Sequence, residues 1–285
     1  MDLTVVIVAY NNDTVLLDCL KSISLHNDIG GRLEVIVVDN YVNSFLGDII
    51  NTLEYNYELL YFKNESNIGF GAANNIGVSL ASSDIILFLN PDTILIEPVF
   101  GDVCQKIISD RRTVYGFTLI DKFKKVNNSY SIFFEYYYLL PVVKLCKKID
   151  FYLPNKLKCF NKIVWPWGAA FALSKSSFIA AGEFDNDIFL CNEEPDLLKR
   201  IPSRTIFISN KRIIHLEGHG EIVSEERYFQ YFKSLNYYFH KYKLSFSGFY
   251  FIIRLKIWYN YVVLHNHAYH NIYNSWAWTG GHADG

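Results

Sequence analysis

Near the N-terminus, apolar residues come in short unbroken runs, each stopped by Asn, Asp or Gly. Leu3–Tyr10, Val35–Val38 and Ile85–Leu89 are such runs, and Glu58–Lys63 is a more polar version. Short runs rich in Val, Ile and Leu are what a sheet strand covered on both faces requires. Asn11, Asn12 and Asp13 read as a turn and helix cap ahead of a helical pattern through Ile23. Ile68–Ala81 sets Gly69, Gly71 and Gly77 among small residues, as in a loop entering a closely packed helix. This alternation of strands and helices predicts a mainly parallel α/β sheet.

Past Pro98 the pattern predicts a helix near Val99–Ser109 and a strand around Tyr115–Ile120, and leaves the aromatic stretch Tyr130–Tyr152 unassigned. Trp165–Leu173 is an apolar run containing Gly168, and a short helix follows it from Ser174 or Lys175 to Gly182. Asp185–Asp196 reads as a carboxylate-rich loop, Arg204–Ile208 as a strand and Ile213–Gly220 as a polar segment carrying His215. Helical periodicity runs from Ser224 to Tyr273.

Composition narrows the class. The chain has 285 residues, 51% hydrophobic and 20% charged, enough to bury a sizeable core. A net charge of -2 offers no basic excess for a nucleic-acid backbone, so nucleic acid is not expected as a partner. Five scattered cysteines with no C-x-x-C pair suggest neither a zinc site nor a disulfide framework. The first strand starts almost at once, without a basic, cleavable leader, and a cytoplasmic location is the expectation.

The candidate chemistry lies where strands end. FLNPDT at 88–93 runs a buried strand into Asn90, Pro91 and Asp92, and open α/β sheets bind ligands at the carboxyl ends of their strands. Read alone, it is equally a strand followed by a Pro-Asp turn. In order along the chain, AYNN at 9–12, VVDN at 37–40, NIGFGAANNIG at 67–77 and FLNPDT resemble the inverting family 2 glycosyltransferases, rhamnosyltransferase-type enzymes in particular. WGAAFALSKSSFIAAGEFD at 167–185, NEEPDL at 192–197 and His215 continue the same order, so the resemblance covers approximately residues 3–240.

The resemblance implies an α/β GT-A fold with a C-terminal helical extension. Residues 1–222 would be the catalytic domain, with 1–98 the nucleotide-binding half and 99–222 the acceptor half, followed by a helical region at 223–285. It implies a nucleoside-diphosphate sugar as donor, and a surface-polysaccharide or lipid-linked glycan as acceptor. Ala9, Tyr10, Asn11, Asp39, Asn67, Gly71, Asn75, Asn90 and Asp92 are then the donor contacts. Asp92 and His215 would hold a divalent cation, Mg²⁺ or Mn²⁺, since hard cations take oxygen ligands and neutral imidazole also serves. Asn90 stands where the family's Asp-x-Asp motif has its first Asp, which adds no charge.

Inversion needs a general base in the acceptor half. NEEPDL supplies Glu193, Glu194 and Asp196. The family pattern puts the base at Glu194, one methylene longer than the usual Asp, with Asp196 the alternative. The same carboxylates also suit an acidic helix start. Trp165, Trp167 and Gly168 would adjoin the acceptor, and core packing is the other reading for the rings.

Several structural readings stay open: Tyr10 as a core residue, Asp39 as a turn or cap residue, Asn74 and Asn75 as a helix cap pair, and His219 on a loop over the donor. Phe246–Leu264 is aromatic and apolar but interrupted by Arg254 and Lys256, so it reads as an interfacial helix, a packed helix or a subunit contact, not a span. Lys241 and Lys243 would join in contacting anionic headgroups, and the tail from about Ser275 reads as disordered or appended. Two other functions compete: a nucleotidyltransferase, for which Lys63 is the nearest cation, and a nucleotide-sugar-binding scaffold without turnover.

Overall fold

A computed structural model describes residues 2–50, 52–148, 153–216 and 225–245, together with Trp258. His219, Phe246–Leu264 with Arg254 and Lys256 but for Trp258, and the tail from Ser275 lie outside them. The chain divides into two compact units, Met1–Phe189 with Glu193–Gly218, and Leu190–Asn192 with His219–Gly285.

The first unit is built on the predicted runs. Leu3–Ala9 (β1), Leu33–Asp39 (β2), Glu58–Lys63 (β3) and Ile85–Leu89 (β4) form its parallel part. Thr93–Leu95 (β5), Thr113–Ile120 (β6), Ala170–Ser174 (β9) and Thr205–His215 (β10) complete an eight-stranded sheet ordered β3-β2-β1-β4-β9-β6-β10-β5. Tyr130–Ile132 (β7) and Val164–Pro166 (β8) pair separately. The helices are Asp13–Leu25 (α1), Leu46–Ile50 (α2), Phe70–Leu80 (α3), Phe100–Ser109 (α4), Leu140–Lys148 (α5), Leu153–Lys156 (α6), Lys175–Ala180 (α7) and Glu193–Arg200 (α8). In the second unit, Glu225–Lys241 (α9) follows the helical pattern expected from Ser224.

Alternation along β1 sorts the core into two layers. Leu3, Val5, Ile7 and Ala9 face α1 and α4, where Leu16, Leu20, Phe100, Val103 and Ile107 are buried. Val6 and Val8 face the opposite layer with Ala73, Val78, Phe178, Leu197 and Leu198. Each fully buried Leu, Ile or Phe contributes about 1.5–3 kcal/mol, so both sheet faces are strongly held.

Three sequence readings change. Trp165–Leu173 is not one run: Trp165 lies in β8, Ala170–Ser174 is β9, and the chain turns between them. The segment at Ile213 is no separate element, because β10 runs unbroken to His215 across a register shift between Ile208 and Arg212. Asn74 and Asn75 do not cap a helix; α3 already starts at Phe70, and Gly69, at φ 91°, occupies the cap.

Topology also forces curvature. Four strand steps separate β4 from β5 in the sheet, about 19 Å if it were flat. Only Asn90, Pro91 and Asp92 connect the two strands, and that link reaches at most about 14 Å. The sheet therefore curls, and its far edge returns to the end of β4.

Candidate active site

From β1 the chain runs outward to β2 and β3, then returns to β4 on the other side of β1. The strand order reverses there, opening the crevice in which such sheets take ligands. Ala9 and Asp39 are partners across β1 and β2, so the ends of the first two motifs lie side by side. Asp39 is buried and accepts from the Tyr41 amide at 3.0 Å and from the Tyr61 hydroxyl at 2.7 Å. Burial, reinforced by this carboxylate, drives the Tyr61 phenol well above its ordinary pKa, so it stays a donor. Tyr10 is not a core residue. It is 52% exposed and meets the Tyr41 ring edge-on, with centroids 5.4 Å apart. Asn11, beside it, adopts φ 50°.

The third motif is held by its own amides. Asn40 donates to Asn67 Oδ1 at 2.8 Å and to the Gly69 carbonyl at 3.2 Å, while its oxygen accepts from Asn64 at 2.9 Å. Asn67 is exposed, and its oxygen also takes the Gly69 amide at 3.0 Å. Asn75 spends both ends of its carboxamide on a neighbouring loop, donating to the Phe184 carbonyl at 2.9 Å and accepting its amide at 3.0 Å. Asn75 therefore braces α3 against that loop. At Gly71 a Cβ would lie 3.1 Å from Phe184 Cβ and 3.4 Å from Glu193 Cγ, so the bare backbone lets α8 approach α3.

Curling of the sheet produces the most specific pairing. β5 runs antiparallel to β10 with Thr93 opposite His215, and the Leu216 amide donates to the Asp92 carbonyl at 2.9 Å. His215 Nε2 thereby comes 3.4 Å from Asp92 Oδ1. His215 Nδ1 and Asn90 Oδ1 are buried polar atoms with no hydrogen-bond partner among the described residues. Among those residues no group of three or more His, Cys, Asp or Glu side chains gathers as a metal cluster. One carboxylate beside one imidazole still fits a cation that draws its remaining ligands from a bound diphosphate and water. Cys19, beneath this turn, adds no thiolate, because burial pushes its thiol up to about 12.

The three carboxylates of α8 have different surroundings. Cys191 and Asn192 enter the helix with φ of 67° and 70°, a left-handed pair that side chains rarely tolerate and that sharply redirects the chain. Glu193 is buried beside Gly71. Asp196 is buried too, and Arg200 holds it through two bonds of 3.0 and 2.9 Å. Glu194 alone remains partly exposed, and it lies against Gly168 so closely that any Cβ there would collide with its Oε1. The next carbonyl, that of Ala169, accepts from the Asn90 amide at 2.9 Å. Glu194 is thus one residue removed from the turn that carries Asp92. Burial raises its carboxyl above the usual carboxylate range.

Trp165 and Trp167 are partly buried and both precede this glycine in sequence; each packs against one of the two core layers, and Trp165 Nε1 is buried with no hydrogen-bond partner among the described residues. Sequence reading overlooked Tyr41, Tyr61 and the bracing role of Asn40. Tyr61 lies two residues from Asp39's partner in the β2–β3 register, a relation that only strand pairing exposes. Lys63, the cation a nucleotidyltransferase would need, donates to the Ser44 carbonyl at 2.8 Å.

Comparison with known proteins assigns this architecture to a class. S. aureus TarS is 13% identical, aligned over 76% of this chain and 37% of its own, with a TM-score of 0.55. GalNAc-T7 with UDP, GalNAc and Mn²⁺ is 14% identical over 76% of this chain and 44% of its own, with a TM-score of 0.54. The Pyrobaculum calidifontis mannosyltransferase PcManGT, in complex with GDP-Man and Mn²⁺, is 12% identical over 78% and 59%, with a TM-score of 0.53. The chain thus matches less than half the length of the first two. At such identities the likeness is one of fold, and the fold is the α/β GT-A fold of glycosyltransferases. Residues 4–180 match Glycosyl transferase family 2, and the chain belongs to that family. No curated protein matches the sequence.

Proposed function

We propose that the protein is an inverting glycosyltransferase that moves a sugar, rhamnose by its motif pattern, from a nucleoside diphosphate to a surface-polysaccharide or lipid-linked glycan. The observation that carries this reading is the seat of Glu194 on Gly168, one residue from the carbonyl bonded to Asn90. It puts a carboxylate of raised pKa next to the turn bearing Asp92.

In the proposed reaction Tyr10 and Tyr41 take the nucleobase, and Asp39 accepts from base or ribose. Asp92 and His215 would hold a divalent cation, whose charge stabilises the departing diphosphate. Glu194 takes the proton of the acceptor hydroxyl as that oxygen bonds to the anomeric carbon. The bond to the diphosphate oxygen breaks on the opposite face and its electrons leave with the diphosphate, inverting the configuration. Asp196 is already engaged by Arg200 and serves to hold α8 in place. Solved relatives of this fold carry UDP, UDP-GlcNAc or GDP-Man, which supports a nucleotide sugar as the donor class. The site would work in the cytoplasm, at the inner membrane face if its acceptor is lipid-linked.

The test is transfer from a panel of nucleoside-diphosphate sugars, with the product anomer read by NMR. Asp92→Ala and Glu194→Gln should each lower turnover by roughly 10²–10⁴-fold. Donor binding without turnover on any acceptor would favour the scaffold reading, and a retained anomeric configuration would refute inversion.

A further inference from the structure

β6 ends at Ile120, opposite Ile214 of β10 and one residue from His215. The segment leaving β6 therefore emerges at the edge of the sheet that carries the Asp92–His215 pair. It turns back at once: Ile120 bridges Val126, the Asp121 amide donates to the Lys125 carbonyl at 2.9 Å, and the Lys124 amide donates to the Asp121 carbonyl at 2.9 Å. The Asp121 carboxylate accepts from the Phe123 and Lys125 amides, each at 2.9 Å. Lys124 adopts φ 65° to close the turn. The only acidic group of the hairpin is thus occupied by its own backbone, and the tip is pinned.

That tip displays Lys122, Phe123, Lys124, Lys125 and Val126, all exposed, with Phe123 at 80%. None of the three ammonium groups forms an ion pair among the described residues, and Lys122 Nζ stands 5.3 Å from the Phe123 ring. An exposed ring on a preformed turn, with Lys122 and Lys124 as its sequence neighbours, adds nothing to this fold's own core. A tip of five exposed residues is too small for a stable protein interface, which needs about 800 Å² per partner. The chain's net charge of -2 makes this basic character local, which does not suit a nucleic-acid backbone. An anionic lipid surface matches all of it: phosphates for the lysines, and a headgroup boundary that accepts an aromatic ring.

We propose that the 121–126 hairpin docks the protein on anionic membranes, with Phe123 inserted and Lys122, Lys124 and Lys125 pairing with lipid phosphates. Docking would turn the carboxyl edge of the sheet toward the bilayer. Only the further step, presentation of the site to a lipid-linked acceptor, rests on the proposed transferase reading.

The experiment is co-sedimentation of the full chain with phosphatidylcholine vesicles, with and without phosphatidylglycerol. Binding should require phosphatidylglycerol. The triple variant Lys122→Gln/Lys124→Gln/Lys125→Gln should weaken it roughly a hundredfold, and Phe123→Ser roughly tenfold. Both variants should keep the wild-type thermal melt, since these side chains are exposed and belong to neither core layer. Wild-type failure to bind phosphatidylglycerol vesicles, or a triple variant that binds like wild type, overturns the proposal. Unchanged binding by Phe123→Ser overturns insertion and leaves a polyelectrolyte contact that acidic polypeptides would share. Neither nucleotide nor turnover enters the measurement, so its failure is distinct from failure of the transferase reading.

Discussion

Glu194 and Asp196 lie two residues apart on one helix, yet their surroundings differ: Gly168 meets one and Arg200 the other. Because burial raises the Glu194 carboxyl, a base at this position ionises above the ordinary glutamate value of about 4.3. The acid limb of kcat/KM should sit correspondingly high, and Glu194→Asp should move it. The linkage sign follows from the same shift. A folded pKa above the unfolded one gives stability that is present below the unfolded value and lost as pH rises through the folded value. Glu194→Gln avoids that loss, so it should raise Tm near neutral pH by roughly 1–4 °C while turnover falls, and the gain should vanish in acid. Asp196→Asn should lower Tm instead. Breaking its buried pair with Arg200 costs on the order of 3 kcal/mol, which a melting curve would register. Full turnover in Glu194→Gln together with its loss in Asp196→Asn would transfer the base assignment to Asp196.

At the scale of elements, the site depends on turns without side chains. Gly168 leaves room for Glu194, so Gly168→Ala should expel that carboxylate. Its expected signature is a loss of kcat approaching that of Glu194→Gln, with near-native nucleotide affinity measured by calorimetry. A large fall in nucleotide affinity instead would mean that the β8–β9 turn supports the donor crevice. Gly168 was legible as a breaker inside an apolar run, but its neighbour was not, since contact between residues 26 apart leaves no local pattern. The Trp165–Leu173 run failed for a related reason: apolar continuity records burial, not where the backbone turns. By contrast Glu58–Lys63 and Ile85–Leu89 emerged with the expected bounds, because their composition and flanking breakers agree.

At the scale of the molecule, the curled sheet joins a central strand to its own far edge through three residues. A ligand that bridges the β1–β2 ends and the Asp92–His215 pair should therefore stabilise the first unit as a whole. Nucleoside diphosphate with Mn²⁺ at about a hundredfold its Kd should add about 2.7 kcal/mol, read as a rise in Tm. His215→Ala should remove the Mn²⁺-dependent part and spare the remainder. An equal shift with and without metal in the wild type would argue against a cation at this pair. Among the described residues no helix is long and apolar enough to cross a membrane.

By itself the sequence determined the parallel α/β part of the sheet, the polar residues that end β1, β2 and β4, and the family. Each of these is written in local order: a buried strand needs consecutive apolar residues, and a ligand-binding turn needs its polar residues directly after them. Tertiary structure alone decided which distant groups meet. Asp92 reaches His215 because a three-residue link cannot span a flat sheet, and Glu194 rather than Asp196 lies against the β8–β9 turn because Arg200 holds one while Gly168 makes room for the other. Tyr61 reaches Asp39 through strand register. Such encounters depend on curvature, register and excluded volume, which no single stretch of chain encodes.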